Sequence, residues 1–218
     1  HSTSRRQRQM CIRDRPEKAA GILSIAERMT EKLLSDEIIS QKEAELVCYG
    51  LESIKSDLTG IAMSILIGVC FGRLLEGILL WGLMYPLRKN AGGFHASTRM
   101  RCMLLSVGML IVTFACLIRY NWPRTVYIFI TAVSFLVILF LAPVENPNKR
   151  LDNAERKVYG RRTRIILTSE SVLFLLALLW KWEKLTAVIA AGFAIVGTSL
   201  IAGQLKMRKF KEVVSNEL

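Results

Sequence analysis

The chain has 218 residues, a formal net charge of +12 and 52% hydrophobic residues, with a mean hydropathy of +0.34. The length suits one domain, yet the apolar share is too high for an ordinary soluble one. The basic residues gather in loops without aromatic interleaving, which excludes a nucleic-acid surface and leaves the positive-inside pattern of a membrane protein. Cys11, Cys48, Cys70, Cys102 and Cys116 include no Cys-x-x-Cys pair, which argues against a zinc site or a disulfide framework. No phosphate-cradling glycine loop is present, and the sequence points to no metal and no cofactor.

Residues 1–16 begin with His and carry Arg5, Arg6, Arg8, Arg13 and Arg15 without apolar periodicity. They read as a disordered tail or scar with no function assigned. Over residues 17–57, Ile22, Ile25, Met29, Leu33 and Leu34 recur at helical spacing. This predicts an amphipathic cytoplasmic helix lying on the membrane or against the bundle, with a solvated helical face as the plainer reading. The segment holds nine acidic and five basic residues, so docking onto a basic bundle or a partner explains it better than attraction to anionic lipid.

Residues 58–205 form the membrane domain. Cys102–Ile118, Thr125–Val144 and Leu185–Leu205 carry no charge, and Ile165–Trp180 carries only Glu170. Such runs suit helices crossing a hydrocarbon core, and without strict alternation they do not suit barrel strands. The predicted fold is therefore an all-α polytopic membrane helix bundle preceded by the amphipathic helix. Lys149, Arg150, Arg156, Lys157, Arg161, Arg162 and Arg164 place the connection between the second and third blocks in the cytoplasm. Lys206, Arg208, Lys209 and Lys211 place the tail at 206–218 there too. Counting back two crossings puts residues 88–101 on the same side.

Leu58–Leu87 must then enter and return, yet it is too short for two full crossings at about 20 residues each. Two short helices or a re-entrant hairpin turning near Gly72 to Gly77 are expected. Arg73 and Glu76 within it are spaced to neutralise one another on a helical face. A functional intramembrane pair and a structural ion pair both fit. Gly68-x-x-x-Gly72 permits close helix contact, either intramolecular or at the seam of a homodimer.

The stretch from Arg88 to Cys102 holds the only internal histidine, His95, with Cys102 seven residues later. A thiol and an imidazole this close suggest a nucleophile and its base. On a continuous helix they would lie about 10.5 Å apart along the axis, beyond a hydrogen bond. His95 is therefore expected on a loop freed by Gly92 and Gly93, with Ser97 or Thr98 capping a helix whose first turns present Cys102. The helix N-terminus, with Arg88, Lys89, Arg99 and Arg101 nearby, favours thiolate. Asn90 either orients His95 or caps the loop.

Arg88-x-x-x-Gly92-Gly93-Phe94-His95-Ala96, followed by Cys102, resembles the signature of the AgrB-type accessory gene regulator proteins. Tyr49-Gly-Leu-Glu52 and Ala142-Pro-Val-Glu145-Asn-Pro147 extend the resemblance over roughly residues 18–205. It implies a membrane-embedded cysteine endopeptidase of the bacterial cytoplasmic membrane, with its active site on the cytoplasmic side. The implied substrate is an AgrD-like propeptide, which is processed into a cyclic quorum-sensing peptide. His95 and Cys102 would be catalytic, and Arg88, Gly92 and Gly93 would bind substrate or support the loop. A reading of another class is a small transporter or scaffold, in which the pair is incidental and Arg73 and Glu76 line a pathway.

Overall fold

The computed structural model describes residues 25–94, 96, 99–119, 122–145 and 152–216. The tail at 1–16 and Ile22 lie outside the described residues. The chain forms two compact units, residues 1–60 and 61–218. Seven helices make up the described structure, and the sole β feature is an isolated bridge between Gly92 and Val144.

In the first unit, α1 (Ile25–Ser35) buries Ala26 and Thr30 and leaves Ile25 and Met29 exposed. Its buried face is thus offset from the stripe of larger apolar residues. The helix stops at Glu37, which has φ 55, where Ile38 N–H donates to Leu33 O at 3.0 Å. This is the nested hydrogen-bond pattern that satisfies the last carbonyls of a helix. Ser40 then opens α2 (Gln41–Cys70), donating from its N–H to Glu43 Oε2 at 3.0 Å. The backbone and hydroxyl bonds from Ser40 hold the Glu43 carboxyl below its usual range, because they favour its charged form.

α2 is a single 30-residue helix with no break at Leu58, and its apolar span begins at Leu46. The sequence reading shortened this arm because it assigned everything before Leu58 to the polar segment. Leu46–Cys70 supplies 25 residues, about 37 Å of helix, enough to cross a bilayer core. The chain then reverses at Phe71, Gly72 and Arg73, with Gly72 at φ 65, and returns as α3 (Leu74–Ala91).

In the second unit, Gly68 lies against Gly77, whose Cα would sit 3.3 Å from a Cβ built at position 68. Ser64 Oγ donates to Gly77 O at 3.0 Å. Gly68 therefore serves intramolecular packing and Gly72 serves the turn. α4 (Arg99–Arg119), α5 (Arg124–Leu141), α6 (Asn153–Leu179) and α7 (Glu183–Asn216) follow. α6 starts with a capping box between Asp152 and Glu155. It is not among the helices apolar enough by themselves to span a membrane, since only its Ile165–Leu179 half lacks the basic residues and that half carries buried Glu170. α7 continues through the expected tail as far as Asn216.

Four helices meet the length and composition of a span: Leu46–Cys70, Met100–Leu117, Arg124–Leu141 and Glu183–Lys209. The first three are only 11–17% buried, whereas the α7 span is 67% buried. α7 is thus the central helix, and the others turn Leu, Ile and Phe outward, as lipid-facing helices do. Leu87, Ile138, Leu167, Phe174, Phe193 and Leu200 form one core around it, and Leu80, Leu110, Phe114 and Val188 a second.

Candidate functional site

The site grows from the C-terminal end of α3. Pro86 lies inside this helix and cannot donate to the carbonyl one turn earlier. Asn90 Nδ2 donates to Pro86 O at 2.8 Å, so the amide of Asn90 serves its own helix. α3 ends at Ala91, and Gly92 and Gly93 take φ values of 79 and 133. Both values lie where a side chain is strained.

This backbone is gripped from two sides. Val144, in the loop after α5, donates its N–H to Ala91 O at 2.9 Å, and a Cβ at position 92 would collide with Val144 O. On the other side, Phe94 N–H donates to Ser199 O at 2.9 Å and lies 3.1 Å from Ser199 Oγ. A Cβ at position 93 would fall 2.6 Å from Ser199 Oγ, and one at Gly203 would fall 2.8 Å from Gly93 C. Ser199 and Gly203 are one turn apart, so one face of α7 admits the Gly-Gly-Phe backbone.

Arg88 closes the clamp. Its Nη1 donates to Ser199 Oγ and its Nη2 donates to Phe94 O at 3.1 Å. Cys102 is half-buried in the first turns of α4, where the positive end of the helix faces it.

His95 lies outside the described residues, as do the proposed caps Ser97 and Thr98. Phe94 and Ala96, on either side of His95, line an open groove of about 560 Å³ with Arg101, Leu104, Leu105 and Lys206. Lys206 Nζ stands 5.3 Å from the Phe94 ring centre. The groove thus has an apolar floor and two cations on its walls, and Cys102, next to Arg101 in α4, is not among its lining residues. Among the described residues, no group of three His, Cys, Asp or Glu side chains could hold a metal.

The loop carrying Val144 is itself tied down, since Arg156 Nη2 meets Glu145 Oε1 at 3.4 Å. Sequence reasoning missed Ser199 and Gly203. Their one signal was a small polar residue and a glycine four apart in an uncharged run. Arg73 and Glu76 are not part of this site. Arg73 Nη1 meets Glu76 Oε1 at 3.0 Å at the first turn of α3, and about 18–22 Å of helix separates them from Arg88.

The family model for accessory gene regulator B matches residues 26–201. Protein FsrB of Enterococcus faecalis is 27% identical over 77% of this chain and 72% of its own length. Putative AgrB-like proteins of Listeria welshimeri and Listeria innocua are 26% and 27% identical, each over 86% of this chain and 93% of theirs. No solved structure matches the chain.

Proposed function

The chain belongs to the accessory gene regulator B family, and from that premise we propose that it is a membrane cysteine endopeptidase cutting an AgrD-like propeptide and supporting its cyclisation. The observation that carries this reading is the clamp on Gly92–Phe94. Arg88, Ser199 and Val144 fix the backbone leading into His95, and Cys102 lies in the first turns of the helix that follows, α4. Such rigidity suits a site whose base must meet a nucleophile in one geometry.

In this mechanism the Cys102 thiolate attacks the carbonyl carbon of the scissile peptide bond, with His95 having taken the thiol proton. The C–N bond breaks, its electron pair leaves with the amine, and His95 returns the proton to that amine. The retained part of the propeptide remains on Cys102 as a thioester. A thiol or hydroxyl within it then attacks the same carbonyl while His95 takes its proton, the C–S bond to Cys102 breaks and Cys102 departs as thiolate, and a thiolactone or lactone ring closes. The thioester preserves the activation of the acyl group, so ring closure needs no ATP if water is kept out. Phe94, Leu104 and Leu105 along the groove serve that exclusion.

The intermediate tests the proposal. A propeptide whose ring-closing Cys or Ser is changed to Ala should acylate Cys102 and go no further. The adduct should accumulate as a larger species that neutral hydroxylamine cleaves, and should be missing from Cys102→Ala. Prompt release of linear peptide with no hydroxylamine-sensitive species would point to direct hydrolysis.

Orientation is a separate expectation. Position 45, position 96, Arg156 and the C-terminal residues should all label from the cytoplasm, because the basic loops fix an even number of crossings between them. α2 and α3, with a 25-residue candidate span and 18 residues respectively, reach far enough to go out and back. Labelling of a single cysteine at position 96 by an impermeant reagent outside intact cells would reverse this arrangement.

A further inference from the structure

At the end of the bundle remote from Cys102, the 71–73 turn and the adjoining ends of α3 to α7 surround a cavity of about 510 Å³. Four cations line it: Arg73, Arg124, Lys181 and Lys184. Its two carboxylates already answer part of that charge. Glu76 faces Arg73 at 3.0 Å and Lys184 at 3.9 Å, and Glu183 faces Arg124 at 3.5 Å. The described lining therefore retains an excess of two positive charges.

The placement of Lys181 does not follow from stability. Trp182 N–H donates to Ala177 O at 2.9 Å and Lys181 N–H to Leu178 O at 3.3 Å, with Lys181 at φ 59. This is the left-handed position closing a helix, where glycine or asparagine is favoured. A lysine here accepts backbone strain while its side chain lines the cavity. Across from it the wall is amphipathic, with Trp122 and Tyr127 beside Phe114 and Leu117. Trp and Tyr prefer the depth of lipid headgroups, and the spans ending at Cys70 and Leu117 and starting at Arg124 and Glu183 put the cavity at that depth.

We propose that this cavity binds the phosphate headgroup of an anionic phospholipid. The cations hold the phosphate and the apolar wall carries the first part of the acyl chains. Free inorganic phosphate shares the charge but has nothing for that wall. The site is independent of the peptidase chemistry at the other end of the bundle.

The test uses the full chain purified in neutral detergent, with phosphatidylglycerol or phosphatidylcholine added to the micelles, or inorganic phosphate added alone. Phosphatidylglycerol should raise the thermal midpoint and co-purify with the protein, and the other two should not. Lys181→Gly and Lys184→Gln should each weaken phosphatidylglycerol retention roughly five-fold. Without lipid, Lys181→Gly should melt no lower than wild type, because glycine relieves the strained cap. Equal effects of the two lipids would overturn the proposal. So would unchanged retention by both variants, which would move binding to the basic start of α6. Full stabilisation by inorganic phosphate would overturn the lipid as the source of the anion. Should Lys181→Gly fail to fold, Lys184→Gln alone carries the same decision.

Discussion

Replacing Cys102 with Ala should lower propeptide cleavage by a factor on the order of 10⁴ or more, and His95→Ala should do the same. The double variant should be no worse than either single one, since nucleophile and base act as one chemical unit. The protein should still accumulate in the membrane. Cys102 is half-buried at the start of α4 and belongs to neither core cluster, so no packing is lost with the thiol. Removing Cys11, Cys48, Cys70 and Cys116 together should leave cleavage intact. The measurement is co-expression with a tagged propeptide, comparing cleaved and uncleaved bands at matched membrane abundance. Cleavage by Cys102→Ala at the wild-type rate would end the peptidase reading.

Gly92→Ala should be nearly as damaging from outside the chemistry. Gly92 has φ 79 and ψ −146, a region that residues with a Cβ enter at a cost of roughly 1–3 kcal/mol. The added methyl would also run into Val144 O, and backbone cannot rotate away as a flexible side chain can. The loop must shift, and a displacement of about 1 Å at a reacting group can cost on the order of 100-fold in rate. Gly203→Ala approaches the same loop from α7, with its methyl 3.0 Å from Phe94 N, and should behave alike. Gly82→Ala and Gly108→Ala are the controls, because nothing lies within 4 Å of either built Cβ. Cleavage and detergent melting curves should separate the two pairs. Full activity in Gly92→Ala would mean that the clamp does not set the geometry of the site.

The sequence made the membrane bundle readable because hydrocarbon imposes a length and forbids charge, so Cys102–Ile118, Thr125–Val144 and Leu185–Leu205 stand out in composition alone. The reversal was expected because the basic loops called for this block to enter and return, and the chain does turn at residues 71–73. Its first arm was misjudged because Glu52, Lys55 and Asp57 sit inside an otherwise continuous helix, and composition cannot tell an interrupted span from a boundary. α6 posed the converse problem. Its basic first half and apolar second half look like a loop and a span, but one capped helix covers both.

At the site, the glycines and Arg88 were legible because positive φ and a buried cation leave marks in residue type. Ser199 and Gly203 were not, because their role depends on what lies opposite them. Nothing near Ser199 in sequence announces a partner more than a hundred residues earlier, and only the packing of α7 against the end of α3 brings them together.

The position of α7 also sets an order on biogenesis. Of the described helices it leaves the ribosome last, yet it supplies the central core and the Ser199–Gly203 face that seats the Gly92–Phe94 backbone. A nascent chain that has already inserted Cys102 still lacks one jaw of the clamp. The Gly92–Phe94 loop is thus made early and cannot be clamped until translation reaches the final helix, so that its closure coincides with the finished bundle.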